Sequence, residues 1–259
     1  MVGRVYIVLG MQRSGHHVIV NQLCYQIGRV LHLNNCVLTR LWGIRPVAGR
    51  YRTYDAGETF DSGRLDLAEY RKQIKQVRRR YDQLVCSFEN ATLGPGYVRR
   101  APAHGQAVTI CIVRDPFNWI ASTLKYGKGM ARQLPQRIPL WKAQVEQCLH
   151  PDTYSDGAFI GISYDRWVTE EGYPQSVCEQ LGLGYAEAGR DEVIDFGEGS
   201  SFDGTLFHGR ASAMQVMDRW RVYQEDPHYR SFFDSDPDLA RLSEQYFQFN
   251  PLSGSPVAL

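Results

Sequence analysis

Four short apolar runs, rich in β-branched residues, set the strongest limit on how this chain can fold. They lie at residues 5–9, 84–88, 108–113 and 159–163, with a weaker fifth run at 29–33. Their hydrophobicity is continuous instead of alternating, which is typical of strands covered on both faces of a parallel sheet. The sequence therefore predicts a buried, mainly parallel central sheet.

Segments with helical periodicity lie between these runs. One covers residues 20–27, and another covers 67–81 after Asp66, a residue type that favours the start of a helix. Strands that alternate with helices predict an α/β protein of three layers, with helices on both faces of the sheet. We expect one domain over residues 1–259, with an irregular insertion at about 36–64.

Composition excludes several classes of partner. The net charge of +1 over 259 residues provides no overall attraction to nucleic acid or to a membrane surface. No stretch approaches the roughly 20 apolar residues that span a bilayer. The six cysteines form no C-x-x-C pair, so they have neither metal-ligand spacing nor the pattern of a secreted disulfide framework. The first predicted strand begins too early for a signal peptide to precede it. We expect a cytoplasmic protein, and the sequence does not indicate its oligomeric state.

The first apolar run is followed directly by the sequence GMQRSGHH, residues 10–17. Its glycines have the spacing of a phosphate-binding P-loop between a strand and a helix. The amides of such a loop and the N-terminus of the next helix attract an anion. His16 replaces the usual lysine, His17 replaces the hydroxyl residue that binds Mg²⁺, and Arg13 supplies a cation within the loop. The loop predicts binding of phosphate or sulfate without a metal ion.

The two adjacent histidines also raise the question of a zinc site. Neighbouring residues of a helix point in different directions, and the sequence shows no third ligand beside His16 and His17. One of them can instead cap the helix or pack against it. We therefore expect no bound metal.

A second motif follows the run at 108–113. Asp115 can cap a helix and Pro116 can occupy its first turn, so Arg114 should project from the carboxyl end of a strand, where ligands bind in open α/β sheets. Ser122 lies eight residues after the arginine, nearly two turns into the helix. A guanidinium and a hydroxyl that converge in this way can hold one phosphate monoester.

Together the two motifs resemble those of sulfotransferases that use 3′-phosphoadenosine 5′-phosphosulfate (PAPS), most closely the bacterial and carbohydrate types. The resemblance covers about residues 5–24 and 108–125, and is fainter at residues 162–165, 200–202 and 218–220. It implies a P-loop-like fold and transfer of a sulfuryl group from PAPS to a hydroxyl or amine of a small-molecule acceptor, such as a sugar or natural product. Many members of the family carry threonine or serine where His16 and His17 stand.

The resemblance also implies roles for individual residues. It assigns the 5′-phosphosulfate to Arg13, Ser14, Gly15, His16 and His17, and the 3′-phosphate to Arg114 and Ser122. The family's basic C-terminal loop, which covers the nucleotide, has its candidate in Arg210; a plain surface turn there is the alternative.

Sulfuryl transfer requires a cation for the leaving phosphate and a base for the acceptor. Arg13 is the candidate cation. Glu89 follows the run at 84–88 and is the first candidate base, if burial raises its pKa; it can otherwise cap a segment or pair with an arginine. His17, His16 and then His32 are the alternative bases.

Two other classes of function stay open. A P-loop kinase of small molecules is opposed by the missing lysine and the missing hydroxyl ligand for Mg²⁺. A non-catalytic nucleotide-binding module would need another role for Glu89. Residues 41–54 and 127–141 are rich in Tyr, Trp and Arg, which suits a sugar, a natural product or an oligomer contact.

Overall fold

The computed structural model describes residues 3–39, 43–46, 49–55, 57–92, 106–154, 158–193 and 199–253. The strands in these ranges are β1 (Arg4–Gly10), β2 (Val30–Leu33), β3 (Cys36–Thr39), β4 (Gly43–Pro46), β5 (Tyr51–Asp55), β6 (Glu58–Asp61), β7 (Gln83–Glu89), β8 (Gln106–Val113) and β9 (Ala158–Ser163). The helices are α1 (His16–Ile27), α2 (Leu67–Val77), α3 (Pro116–Tyr126), α4 (Lys128–Ala131), α5 (Leu134–Leu149), α6 (Pro151–Tyr154), α7 (Tyr164–Thr169), α8 (Tyr173–Gln180), α9 (Pro227–Ser235) and α10 (Asp238–Phe247), with 3₁₀ turns at Ala211–Ala213 and Arg219–Val222.

One sheet organises the fold, with the strand order β6-β5-β2-β7-β1-β8-β9. The pairs from β2 to β9 are all parallel, and β5 and β6 add antiparallel strands at one edge. All five apolar runs form strands of the parallel part. The predicted α/β fold with a mainly parallel central sheet is therefore confirmed.

Each face of the sheet has its own hydrophobic core. On β1, Val5, Ile7 and Leu9 enter one core while Tyr6 and Val8 enter the other. The first core is completed by side chains of α3, α5, α9 and α10, and the second by those of α1, α7 and α8. Because both faces are covered, the strands need continuous apolar sequence, and this is the pattern that revealed them.

The segment expected to be an irregular insertion is instead largely β-structure. β3 pairs with β4, and β5 and β6 form a hairpin that extends the main sheet through β2. Residues 40–42, 47–48 and 56 lie outside the described ranges. The prediction of irregular structure was wrong because β5 and β6 are short edge strands rich in charged and polar residues, and β3 and β4 are only four residues long, so none of them gives a long apolar run.

The carboxyl ends of four neighbouring strands meet at one edge of the sheet. Gly10 of β1 lies in register with Glu89 of β7, and Val113 of β8 with Ser163 of β9. The loop after β1, the segments after β7 and β8, and the start of α7 therefore share this edge, which is where open α/β sheets bind ligands. In the ranges given above, no helix has the length and apolarity that crossing a membrane requires.

Candidate active site

A cavity of about 340 Å³ opens at this edge of the sheet. Its walls come from the loop after β1, the end of β7, the start of α7 and the segment 211–219. The volume lies within the range of small-molecule sites. The cavity brings together most of the candidate residues: Arg13, Gly15, His16, His17, Glu89 and Arg114 line it.

The loop between β1 and α1 is held in a tight, glycine-dependent shape. The amide and the hydroxyl of Ser14 both donate to the carbonyl of Met11, at 3.1 and 2.7 Å. Gly15 has φ of 81°, and a Cβ atom there would lie 2.3 Å from the ring of Tyr164. Among the described residues no side chain caps α1, whose first residues line the cavity, so the positive N-terminus of the helix is available to an anion there.

Arg13 is fixed by the segment that follows residue 198. Its Nε donates to Ser201 Oγ at 2.7 Å and its Nη2 to the carbonyl of Gly199 at 2.8 Å. The guanidinium also lies over the ring of Tyr126, 4.6 Å from its centre. These contacts hold a cation beside the loop after β1.

Two buried guanidinium groups share one hydroxyl. Arg114 and Arg219 each donate to Ser122 Oγ at 3.3 Å, although the two side chains are among the most buried charged groups. Ser122 is fully buried and lies behind the arginines, not in the cavity wall. Arg114 also donates to the carbonyl of Val216, and its Nε makes no hydrogen bond to any described residue.

Electrostatics around this pair favour a bound anion. Burial, followed by the charge of Arg114, lowers the pKa of Arg219 to about 10. In the described part of the chain, Asp203 is the carboxylate within salt-bridge distance of the pair, 3.4 Å from Arg219. Two buried cations that share one hydroxyl, with a single carboxylate at salt-bridge distance among the described residues, suit the binding of a phosphate dianion.

Glu89 is held by neutral partners at the cavity wall. Its Oε1 accepts from His17 Nε2 at 3.0 Å and its Oε2 from Gln12 Nε2 at 2.6 Å, with only 10% of the side chain exposed. His16 Nε2 lies 3.7 Å from Oε1. The amide oxygen of Gln12 in turn accepts from Arg137 Nη2 at 2.7 Å.

The two histidines of this cluster are neutral near pH 7. Burial lowers the pKa of His16, and burial lowers that of His17 still further, with the neighbouring ring adding to the effect. His32, the third alternative base, does not line the cavity; it contacts Ser87 Oγ at 3.3 Å, and burial lowers its pKa to about 3.

Buried polar contacts fix the strand ends from which Arg114 and Tyr164 project. The amide of Asp115 donates to Asp165 Oδ2 at 2.9 Å, and the side chain of Asp115 caps α3 by accepting from the amide of Asn118, as the sequence predicted. Burial, followed by the charge of Asp115, raises the pKa of Asp165, while the charge of Arg114 lowers it. The side chain of Asp165 thus joins the ends of β8 and β9.

Arg210 is placed apart from the other candidates. It is exposed, its guanidinium lies 5.2 Å from the ring centre of Phe207, and it does not line the cavity. The same C-terminal segment supplies Arg219 to the cavity instead. The role of Arg210 stays a prediction.

Sequence reasoning did not single out Arg219, Gln12 or Tyr164 as site residues. Arg219 and Tyr164 stand in the fainter parts of the family resemblance, at 218–220 and 162–165, and these positions were the available signal. Gln12 lies inside the phosphate-binding motif, yet nothing in the spacing marks its contact with Glu89.

The comparisons with known proteins give structural similarity alone. No protein-family model matches this sequence, and no protein of curated function matches it. The sulfotransferase domain of the Synechococcus PCC 7002 olefin synthase aligns with a TM-score of 0.53 at 14% identity, over 96% of this chain and 95% of that domain. The sulfotransferase domain from the curacin biosynthetic pathway aligns with a TM-score of 0.50 at 14% identity, over 97% and 99%. This chain thus has the fold of sulfotransferase domains along nearly its whole length.

Proposed function

We propose that this protein is a sulfotransferase that moves a sulfuryl group from PAPS to a hydroxyl or amine of a small-molecule acceptor. The observation that carries the proposal is the pair of buried guanidiniums of Arg114 and Arg219 on Ser122, beside a cavity that begins at the loop after β1. A buried positive pair suits the 3′-phosphate, the group that distinguishes PAPS from ordinary adenine nucleotides.

The loop after β1 is proposed to bind the 5′-phosphosulfate. Its shape and the uncapped start of α1 suit an anion, and Arg13 lies beside them as the cation for the leaving phosphate. Ser14 has its amide and hydroxyl committed to Met11, so its role is to hold the loop closed while Gly15 allows the close approach. His16 and His17 replace both the lysine and the magnesium ligand of a kinase, which opposes the kinase alternative.

Glu89 is proposed as the base. The acceptor oxygen attacks sulfur as the bond between sulfur and the 5′-phosphate oxygen breaks, and the acceptor proton passes to the carboxylate. His17 and Gln12 hold both oxygens of Glu89, which fixes the carboxylate at the cavity wall where the acceptor would lie. His17 is the alternative base, with Glu89 then orienting its ring.

The acceptor is proposed to be a sugar or natural-product hydroxyl. Apolar side chains face the same cavity as the charged groups, among them Tyr126, Met130 and Trp167. Such a wall suits the rings or aliphatic parts of a small molecule, and few polar groups would orient it.

Two measurements test the proposal in order. Thermal unfolding should shift upward with 3′-phosphoadenosine 5′-phosphate (PAP) but not with ATP and Mg²⁺, because binding to the native state stabilises it by mass action. A screen of hydroxyl- and amine-bearing compounds with sulfur-labelled PAPS should then yield a labelled product. Stabilisation by ATP and Mg²⁺ alone would revive the kinase, and PAP binding without turnover on any acceptor would favour the non-catalytic module.

A further inference from the structure

In the described part of the chain, one buried ring nitrogen of the candidate active site makes no hydrogen bond. His16 is only 2% exposed, and its Nδ1 lies 3.2 Å from the carbonyl of Met11. A carbonyl oxygen only accepts, so Nδ1 carries the hydrogen and Nε2 of the neutral ring presents a lone pair. This Nε2 is buried and has no hydrogen-bond partner among the residues that the structure describes. A buried acceptor that is left unpaired destabilises the folded protein, so its orientation needs an explanation.

The lone pair points into a cluster of two further metal-ligand atoms. His16 Nε2 is 3.7 Å from Glu89 Oε1, and His17 Nε2 is 3.0 Å from the same oxygen. The three ligand atoms all lie within 4.8 Å of one another. For a tetrahedral zinc ion with bonds of about 2.1 Å, neighbouring ligand atoms are about 3.4 Å apart, which falls between the two measured distances.

The contacts behind these atoms are those that metal ligands commonly have. A histidine that binds a metal usually donates its other ring hydrogen to a carbonyl or carboxylate, as His16 does to Met11. A ligating carboxylate is usually hydrogen-bonded on its other oxygen, as Glu89 is by Gln12, which is held by Arg137. The surroundings therefore orient His16 and Glu89 before any ion arrives.

We propose that His16, His17 and Glu89 bind one divalent ion of the Zn²⁺ class, and that the bound ion inhibits sulfuryl transfer. His17 would move its ring hydrogen from Nε2 to Nδ1, which costs the neutral ring no proton. All three residues line the cavity, so the fourth coordination position faces it, as in sites with three protein ligands. The inhibition rests on the proposed function, because the ion binds Oε1 of Glu89, an oxygen of the proposed base. The binding of the metal does not depend on the proposed function.

This site departs from the expectation that no metal would bind. The third ligand is absent from the local sequence because it comes from the end of β7, 72 residues after His17. Register between β1 and β7 places Glu89 opposite Gly10, beside the start of α1.

Calorimetric titration of the metal-free chain with ZnCl₂, without nucleotide, tests the binding. We expect one ion per chain in the wild type. His16→Gln, His17→Gln and Glu89→Gln should each weaken binding by more than about 100-fold, since loss of a hydrogen-bond partner of a metal ligand already costs 10- to 100-fold. The matched control is His150→Gln: His150 also pairs with a carboxylate, that of Glu146 at 3.8 Å, but is exposed and lies outside the three-ligand cluster. No binding by the wild type, or equal binding by all variants, would overturn the site.

Two additions keep the test decisive. Thermal unfolding shows whether each variant folds. If one does not, the visible spectrum of Co²⁺ bound to the wild-type protein replaces it as the test. Strong absorption, typical of four or five ligands, supports the site, whereas weak six-coordinate bands alone would overturn it. Once an acceptor is known, Zn²⁺ should inhibit at the concentration that calorimetry gives for binding, and EDTA should reverse it. Zinc that binds without inhibiting would overturn the inhibition. An absence of turnover under every condition would count against the proposed function alone, because calorimetry decides the metal site by itself.

Discussion

Arg114 and Arg219 both donate to one buried hydroxyl, Ser122 Oγ, at 3.3 Å each. They reach it from different parts of the chain, one from the end of β8 and the other from the 3₁₀ turn at Arg219–Val222. Like charges held this close and this deep are unfavourable unless an anion joins them. An anionic ligand that neutralises the two guanidinium groups relieves this repulsion, and the relief contributes to its binding free energy.

Removing either guanidinium should weaken binding of the 3′-phosphate selectively. Arg114→Ala or Arg219→Ala should cost about 2–4 kcal/mol in PAP binding, as expected for loss of a charge-assisted contact. Adenosine 5′-monophosphate, which lacks only the 3′-phosphate, should lose little affinity. Calorimetry with both nucleotides measures the difference. Arg221→Ala is the control, since Arg221 is exposed and pairs with Asp218; equal losses for the two nucleotides would contradict the assignment.

Glu89→Gln should separate proton transfer from donor binding. A general base contributes about 10²–10⁴-fold, so kcat should fall by that order while the affinity for PAP stays nearly unchanged. Steady-state kinetics with a saturating acceptor measures the first quantity, and calorimetry the second. The same substitution at Glu170, an exposed residue paired with Arg166, should leave both unchanged. Near wild-type kcat in Glu89→Gln would transfer the role to His17.

Chelation should not abolish activity. The loop after β1 has no hydroxyl at the position that binds Mg²⁺ in kinases, so EDTA should leave turnover at least undiminished. Initial rates before and after dialysis against EDTA measure this. Activity that disappears on chelation and returns with Mg²⁺ would argue against the donor mode proposed above.

Gly15→Ala should disrupt the loop more than an equivalent change elsewhere. Gly15 and Gly28 both have φ of 81°, but a new Cβ would clash with Tyr164 at the first position and would meet nothing within 4 Å at the second. Both variants should lose about 1–2 kcal/mol from backbone strain. Gly15→Ala should lose more and should also bind PAP poorly. Chemical denaturation and calorimetry compare the two, and equal effects would show that contact with Tyr164 is unimportant.

Stability should fall as the pH drops below about 6.5, and His32 should contribute to the fall. Burial lowers its folded-state pKa to about 3, so the unfolded chain binds a proton there that the folded chain does not. Between these two values the residue lowers the free energy of unfolding by up to about 1.4 kcal/mol per pH unit. His16 and His17 act in the same direction.

His32→Gln should therefore flatten the acid limb of stability without removing it. Urea denaturation from pH 7 to pH 4 gives the slope, which is independent of any constant loss from repacking. His228→Gln, a change at an exposed histidine, should leave the slope as in the wild type. An unchanged slope in His32→Gln would mean that His32 is not held neutral by burial.

The parallel sheet was predictable because each of its strands corresponds to one local apolar run of the sequence. The helix starts at Asp66 and Asp115 were also predictable, and both residues cap helices as expected. The hairpin of β5 and β6 was not, since an edge strand with charged residues has no such run. In the candidate site too, local sequence patterns were predictable and long-range contacts were not. Arg13 and Arg114 stand in local motifs, whereas the contact of Glu89 with His17 spans 72 residues and that of Arg219 with Ser122 spans 97. Contacts of this kind depend on strand register and on the path of the C-terminal segment, which no short pattern specifies.

The ring of Tyr164 touches both of the proposed anion-binding regions at once. One part of it packs against Gly15 in the loop after β1, and the guanidinium of Arg114 lies over its face, 4.9 Å from the ring centre. Because the ring is rigid, it fixes the distance between the two positively charged sites on either side of it. A nucleotide whose two anionic groups are separated by another distance, such as the 2′-phosphate isomer of the donor, could bind at one of these sites only by losing contact with the other.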